Sequence, residues 1–204
     1  NPNPYLFGWG GGVSFAMMEL GQFFGYKPVM VASGDYRINL LNSKEITPID
    51  RNKFANLSFD EKKYKADKDY REIYNQTEKE FLKLVNEITK GEKAAIFVDL
   101  IGSPVLRVTL KALGCPGVLT TAGWKEGMAE SSLRAIECMN WHTHVHTHGG
   151  RYSDVVESIE FAQKHNWVPC LTDKEYEWDD IPQLASDFAN GIDTYFPIYK
   201  INPL

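Results

Sequence analysis

Short apolar segments alternate with amphipathic helical patterns along most of this chain. Strands are predicted at six places, namely residues 5–7, 28–32, 45–49, 94–101, 117–122 and 141–148. Helices are predicted over residues 13–24, 35–41, 70–88, 103–113, 130–139 and 152–165. Strands that are joined by helices pair in parallel within one sheet. The pattern therefore predicts an α/β fold with a doubly wound parallel sheet.

Several boundaries follow from local composition. Ser103 and Pro104 are typical of a helix cap and its first turn, and Gly114 is typical of that helix's end. Residues 50–72 are polar, with five basic and five acidic side chains from residue 60 onward, which favours a solvated insertion. Beyond residue 169 the alternation stops, with a short helix predicted from 179–182 and a strand over 195–201 that need not join the main sheet. The chain is therefore divided into a domain, 1–169, and a C-terminal segment, 170–204.

Composition excludes several classes of partner. The 204 residues are 43% apolar and carry a formal net charge of −5, with a pI near 5.6, which disfavours nucleic acid and anionic membranes. No segment approaches the ~20 apolar residues of a membrane span, and no signal peptide is recognisable. The three cysteines lack metal-ligand spacing and are typical of reduced thiols. These features predict a cytoplasmic protein with no nucleic-acid or membrane partner.

A glycine cluster lies between the first predicted strand and the first predicted helix. It contains Gly8, Gly10, Gly11 and Gly12, followed by Val13. In such a turn, glycines let the backbone approach a pyrophosphate, and the N–H groups and positive dipole end of the helix balance its charge. These five residues are therefore predicted to bind the pyrophosphate of a dinucleotide.

The end of the second predicted strand discriminates between NAD and NADP. An acidic residue there would bind the ribose of NAD, but this chain has Ser33, with Arg37 one helical turn further on. A small hydroxyl side chain and a guanidinium suit a 2′-phosphate. NADP is therefore the predicted cofactor. NAD is the alternative, because Asp35 either binds the ribose or caps its own helix.

Two further glycines follow the fourth and fifth predicted strands. Ligands of open α/β sheets bind at the carboxyl ends of the strands, so Gly102 and Gly123 are predicted to lie beside the nicotinamide. Trp124 either lines that pocket or fills the space next to it. Asp99 is either structural or functional.

Four histidines share one face of the last predicted strand, namely His142, His144, His146 and His148. Imidazoles two residues apart in an extended strand converge on a metal only with help from other ligands, so no metal site is predicted. His142 and His144 are interpreted as surface or interface residues. His148 lies at the carboxyl end of the strand and is the candidate catalytic residue.

The order of these motifs resembles the nucleotide-binding domain of the medium-chain, zinc-type alcohol dehydrogenase-like dehydrogenases/reductases. The matching pieces are the turn 8–14, the segments 99–102 and 117–123, and the tail 178–182. As an ordered set they are more specific than the glycine turn alone. The resemblance implies a Rossmann fold, oxidoreductase activity and a homodimer through the last strand. It also implies that residues 170–204 return to a catalytic domain that is absent here.

Within that family, residues 49–52, the insertion and residues 148–152 look most like the crotonyl-CoA carboxylase/reductases. In that branch a histidine followed by Phe-Ala-Asn-Tyr helps to hold carbon dioxide or water beside the reduced nicotinamide, and His148 and Tyr152 match this motif. Two positions depart from it. Gly149 stands where the branch has a bulky aromatic residue, and Ser14 replaces the third small residue of the glycine turn.

Together these features predict the cofactor domain of an NADP-dependent oxidoreductase. The predicted reaction moves hydride to or from a carbonyl or an activated C=C bond of a small-molecule substrate, such as an enoyl thioester or a quinone. The isolated chain is expected to bind the cofactor without appreciable turnover. The alternative is a non-catalytic NAD(P)-binding regulatory module.

Overall fold

The computed structural model describes residues 4–127, 135–171, 175–190 and 195–201. Within these ranges, six parallel strands form one sheet in the order β3-β2-β1-β4-β5-β6. The strands are Tyr5–Trp9 (β1), Lys27–Ala32 (β2), Thr47–Asp50 (β3), Ala94–Val98 (β4), Leu113–Thr121 (β5) and Thr143–Thr147 (β6). Glu175–Tyr176 (β7) and Ile198–Tyr199 (β8) pair separately. The predicted doubly wound sheet is confirmed, and its strand order is that of a Rossmann fold.

Helices cover both faces of the main sheet. The described helices are Gly12–Phe23 (α1), Asp35–Ser43 (α2), Glu61–Ala66 (α3), Lys68–Thr89 (α4), Ser103–Ala112 (α5), Ala135–Asn140 (α6), Tyr152–His165 (α7) and Ile181–Ala189 (α8). Of the helix predicted over 130–139, residues 130–134 lie outside the described part of the chain. None of the described helices is long and apolar enough to cross a membrane.

Two apolar clusters lie on opposite faces of the sheet, because neighbouring residues of a strand point to opposite sides. Phe7 of β1 belongs to the cluster that includes Phe81 of α4. The adjacent Leu6 belongs to the cluster that includes Phe15 of α1 and, from the C-terminal segment, Tyr195. A sheet buried on both faces requires apolar residues at consecutive strand positions, which explains the continuous apolar runs of the sequence.

The predicted end of α5 is wrong. The helix stops at Ala112, and Leu113 already has extended backbone and pairs with Ala94 of β4. Gly114 lies inside β5, where a Cβ would approach the carbonyl oxygen of Glu92 to 2.8 Å. This glycine therefore permits close strand packing and does not end a helix.

Two other boundaries differ by one or two residues. Gly102, not Ser103, occupies the cap of α5, with a φ of 93° that suits glycine. Glu45 has a φ of 56°, which is left-handed, so β3 begins at Thr47 and not at residue 45. Both differences arise from single left-handed residues, which propensity patterns do not reveal.

The polar insertion is docked through aromatic side chains, and is not merely solvated. Most of its charged groups are exposed, as predicted. Tyr64 of α3 makes an edge contact with Tyr74 of α4, with ring centroids 5.8 Å apart, and the Arg107 guanidinium lies 4.7 Å from the Tyr64 centroid. Arg107 also pairs with the buried Glu78 at 3.2 Å. These contacts attach the insertion to α4 and α5.

The C-terminal segment divides between two environments. The predicted final helix is confirmed as α8, which follows a 3-10 turn at Trp178–Asp180. The strand predicted over 195–201 is shorter, comprising Ile198–Tyr199, and it pairs with β7 outside the main sheet. Tyr195 and Phe196 leave the strand because they pack on the cluster beside α1. The three cysteines are free thiols, as predicted.

The open edge of β6 leads to a prediction of oligomeric state. The His148 N–H donates to the carbonyl of Thr121 in β5, so residues 143, 145 and 147 direct their N–H groups away from β5. Pairing with a second copy would satisfy these groups. Light scattering should give twice the 23.2 kDa chain mass. Thr147→Pro removes one N–H group that points away from β5 and breaks no hydrogen bond to β5, so it should shift the population to monomer. An unmodified chain that is monomeric at high concentration would contradict the prediction.

Candidate functional site

The turn between β1 and α1 places backbone N–H groups at the carboxyl edge of the sheet. Gly10 is pressed against β2, since a Cβ there would lie 2.8 Å from the Val31 carbonyl oxygen. Gly11 caps α1 with a φ of 144° and has open space where a Cβ would be. The first N–H groups of a helix lack intrahelical acceptors, and this first turn contains no acidic side chain. The turn can therefore accept an anion.

Gly8 contributes to this turn by packing. It lies inside β1, paired with Met30 of β2 and Val98 of β4. A Cβ at this position would be 2.9 Å from the Met18 Cε and 3.6 Å from the Ser14 Cβ. Its lack of a side chain thus lets α1 approach the sheet closely. Ser14 replaces the third small residue of the motif, and its side chain is fully buried.

Residues of the C-terminal segment also reach the glycine turn. The backbone oxygen of Tyr195 lies against Gly12, too close for any Cβ there, and Phe196 borders the same position. Val13, the next residue, is half-exposed at 50%. Sequence analysis did not identify Tyr195 as a site residue. No pattern in the sequence links Tyr195 to the turn.

The turn after β2 lies beside the glycine turn, because β1 and β2 pair in register from Tyr5↔Lys27 to Trp9↔Val31. Ser33 is half-buried, Gly34 caps α2 with a φ of 88°, and Asp35 and Arg37 occupy the first turn of α2. The Arg37 guanidinium carbon lies 5.3 Å from the Tyr195 ring centroid. Ser33 and Arg37 are thus brought to the same edge as the glycine turn.

Asp99 organises the loop after β4. It is fully buried, and one carboxylate oxygen accepts hydrogen bonds from the N–H groups of Ile101 and Gly102, both at 2.9 Å. The Thr109 hydroxyl lies 3.4 Å from its other oxygen and accepts from the Trp9 indole at 2.7 Å. Burial raises the pKa of Asp99, although the hydrogen bonds oppose that shift. These contacts give Asp99 a structural role.

The loops after β4 and β5 are joined around Gly102. A Cβ on Gly102 would lie 2.5 Å from the Gly127 carbonyl oxygen and 2.6 Å from the Trp124 Cβ. The N–H groups of Lys125 and Glu126 donate to carbonyls of the β4 loop. Gly123 has a φ of 144°, open space at its Cβ position and an N–H that donates to Thr121. Trp124 therefore fills the space next to Gly102. Gly102 and Gly123 together shape one surface at this edge.

All four histidines are exposed, but only His144 and His146 lie within β6. His142 precedes the strand with a left-handed φ of 47°, and His148 follows it, so the predicted common face is not shown for all four. The rings of His146 and His148 lie 6.0 Å apart by centroid, and those of His144 and His146 lie 6.4 Å apart. Among the described residues, no group of three or more side chains is placed to hold a metal ion. The backbone bond from His148 to Thr121 fixes His148 at the carboxyl end of β6, beside the turn that contains Gly123.

Three buried side-chain atoms of the described residues lack a hydrogen-bond partner, and all three border this edge. They are the Ser14 Oγ, the Trp124 Nε1 and the Tyr195 hydroxyl. Ser14 lies behind the glycine turn, Trp124 lies beside Gly102, and Tyr195 lies beside Arg37. Buried unpaired polar atoms are rare and costly in native proteins. Their concentration here makes this edge the candidate ligand site.

Comparisons with known proteins found similar folds among solved structures. No protein-family model and no curated protein matches the chain. A crotonyl-CoA carboxylase/reductase in complex with NADP matches 96% of this chain and 49% of its own length, with a TM-score of 0.78 and 15% identity. Benzyl alcohol dehydrogenase from Acinetobacter calcoaceticus matches 99% of this chain and 51% of its own, with a TM-score of 0.69 and 19% identity.

A third similar structure is the D-arabinose dehydrogenase from Sulfolobus solfataricus, which matches 87% of this chain and 46% of its own, with a TM-score of 0.59 and 15% identity. The chain shares its fold with the parts of these solved structures that it matches. It spans about half the length of these solved structures. The resemblance noted in the sequence is thereby confirmed for the fold.

The buried Asp99 leads to a prediction about pH. Because burial raises its pKa, the folded chain holds the proton more tightly than the unfolded chain. Its stabilising contribution is present below the unfolded pKa of about 3.9 and is lost as pH rises through the folded pKa. Asp99→Asn should therefore gain stability over the unmodified chain as pH rises from 4 to 7, measured by urea unfolding.

Asp154 is the matched control with the opposite sign. Hydrogen bonds from Arg151 lower the pKa of Asp154, so its contribution is present at neutral pH and is lost as pH falls through the folded pKa. Asp154→Asn should be slightly less stable than the unmodified chain at pH 7, since both groups are exposed. A stability difference for Asp99→Asn that does not change with pH would refute the account of that residue.

Proposed function

We propose that this chain binds NADP and is the cofactor domain of a medium-chain dehydrogenase/reductase. The observation that carries the proposal is the turn of Gly10, Gly11 and Gly12. It is clamped against β2 and presents the N-terminal N–H groups of α1 next to the point where strand order reverses, between β1 and β4. Dinucleotides bind at this point in Rossmann folds. Two of the similar solved structures are complexes with NADP.

Each part of the dinucleotide has a counterpart along the edge. The N–H groups at Gly11, Gly12 and Val13 would bind the pyrophosphate. Ser33 and Arg37 would bind the adenosine end, where the guanidinium pairs with the 2′-phosphate. Further along the edge, the surface shaped by Gly102 and Gly123 would receive the nicotinamide. The unpaired Trp124 N–H beside Gly102 is a donor available for that end of the cofactor.

The proposed reaction is hydride transfer between the nicotinamide and a carbonyl or an activated C=C bond, as in an enoyl thioester or a quinone. When bound, NADPH supplies the hydride. The residues of this chain supply position, and His148, at the carboxyl end of β6, would exchange a proton or hold a small polar molecule beside the reacting carbon. Residues 1–169 would form the cofactor domain, and residues 170–204 would return to a catalytic domain.

Cofactor preference gives the direct test of the proposal. The chain should bind NADPH more tightly than NADH, measured by fluorescence titration. Arg37→Ala should reduce the preference by something on the order of 1 kcal/mol, because it removes a partly exposed ionic contact. Lys44→Ala removes a positive charge at the other end of α2 and should leave the preference unchanged. Equal affinities of the unmodified chain for the two cofactors would refute the assignment.

Catalysis gives a second test. Hydride transfer requires a substrate carbon within about 3.5 Å of the nicotinamide and shielded from water. His148 is exposed and Gly123 faces open space, so this edge alone provides little shielding. Residues 1–204 should therefore bind NADPH but not oxidise it with enoyl thioesters, quinones or aldehydes. Robust NADPH oxidation by this chain would contradict the proposed division of labour.

The role of His148 is measured after a catalytic domain has been joined to the N-terminus and activity has appeared. His148→Ala should then lower kcat on the order of 100-fold, the usual scale of a positioned acid or base. His142→Ala is the matched control, since it removes an imidazole from the opposite end of β6. Equal losses of kcat in both variants would show that the replacements disturb β6 and that His148 has no catalytic role of its own.

A further inference from the structure

Tyr195 is part of the C-terminal segment but is fixed against the first turn of α1. Its side chain is only 7% exposed, and its ring stacks on Phe15, with centroids 4.8 Å apart and planes inclined by 21°. Its backbone oxygen lies directly against Gly12. One contact through the ring and one through the backbone thus hold Tyr195 beside the glycine turn.

The same ring contacts Arg37 of α2. The guanidinium carbon lies 5.3 Å from the ring centroid, within the range in which the ring quadrupole attracts a cation. An arginine side chain has many rotamers in water and loses that freedom when it binds a ligand. Because Tyr195 is itself fixed, the ring restricts Arg37 to the region between the first turns of α1 and α2.

We infer that Tyr195 is a positioning residue that orients Arg37 toward the 2′-phosphate of NADP. The inference rests on the proposed function and assigns part of its specificity to a residue of the C-terminal segment. A guanidinium that is already held loses less conformational entropy when it pairs with a phosphate. The arrangement therefore raises the affinity for a nucleotide with a 2′-phosphate and leaves the affinity for a nucleotide without that phosphate unchanged.

The ring, and not the hydroxyl, carries this role. The Tyr195 hydroxyl has no hydrogen-bond partner among the described residues. Burial is the main cause that raises its pKa to about 12, with Arg37 opposing the shift, so the group is neutral at physiological pH. Tyr195→Phe should therefore keep the contact with Arg37, while Tyr195→Leu should keep the apolar packing and lose the aromatic face.

The experiment compares 2′,5′-ADP with 5′-AMP, which differ only in the 2′-phosphate, by calorimetric titration of the full chain. Tyr195→Leu should weaken the binding of 2′,5′-ADP about fivefold and leave the binding of 5′-AMP unchanged. Tyr195→Phe should retain the affinities of the unmodified chain. A purely structural role, exerted through Gly12 and the glycine turn, would weaken both nucleotides equally and would overturn the inference.

A double-mutant cycle shows whether Tyr195 acts through Arg37. In the Arg37→Ala background, Tyr195→Leu should cause no further loss of 2′,5′-ADP affinity, and a further loss would contradict the inference. If the leucine variant does not fold, as judged by circular dichroism, Tyr195→Met takes its place, because a flexible methionine fills irregular gaps.

The experiment separates a failure of the proposed function from a failure of the role assigned to Tyr195. If the unmodified chain binds neither 2′,5′-ADP nor 5′-AMP, the proposed function fails, and the inference fails with it. If the unmodified chain prefers 2′,5′-ADP and Tyr195→Leu leaves that preference intact, the proposed function stands and the inference alone is wrong.

Discussion

The close approach of the β1–α1 turn to β2 is the constraint on which the rest of the site depends. With a Cβ at Gly10 only 2.8 Å from the Val31 oxygen, any side chain would push the turn away from the second strand. The N-terminus of α1 would move with the turn. Ser14 and Met18 of this helix pack closely against Gly8 of β1, so the displaced helix would lose these contacts. The glycines therefore fix both the position of the helix and the direction of its N–H groups.

The electrostatics of the edge are local and independent of the net charge of −5. No acidic side chain occupies the first turn of α1. Asp99, in the neighbouring loop, is buried, accepts two backbone hydrogen bonds, and has a raised pKa. Its oxygens are thus turned toward the protein and away from the surface shaped by Gly102. The helix dipole and Arg37 contribute positive potential where an anion would bind, and Asp35 in the same first turn of α2 opposes it.

The alternation of apolar strands and amphipathic helices in the sequence predicts the fold, and the structure agrees with it for whole elements. The alternation of strands and helices predicted all six strands of the sheet, and α7 has the predicted bounds of Tyr152–His165. The errors occur at the ends of elements. The prediction extended β4 to residue 101, but it ends at Val98, and the prediction began β5 at residue 117, but it begins at Leu113. Gly114 was interpreted as a helix end, because a glycine that permits strand packing and one that ends a helix have the same sequence signature.

The candidate site was predicted in the same uneven way. The glycine turn, Ser33, Arg37, Gly102 and Gly123 follow strands, so the rule that parallel strands present their carboxyl ends together was enough to place them at one edge. No such rule places Tyr195 at this edge. Its contacts with Phe15 and Arg37 depend on where the chain returns after α8, and long-range contacts of this kind leave no periodic pattern in the sequence.

The unpaired polar atoms explain why this edge is built at a cost to stability. The hydroxyl of Ser14, the indole N–H of Trp124 and the hydroxyl of Tyr195 are each buried without a partner in the described part of the chain. Alanine at position 14 and phenylalanine at position 195 would fill similar volumes without that cost. Packing alone therefore does not account for the polar residues. Under the proposed function, the Trp124 N–H would meet the nicotinamide end of an extended dinucleotide. At Tyr195 the ring, and not the hydroxyl, would act on the adenosine end through Arg37.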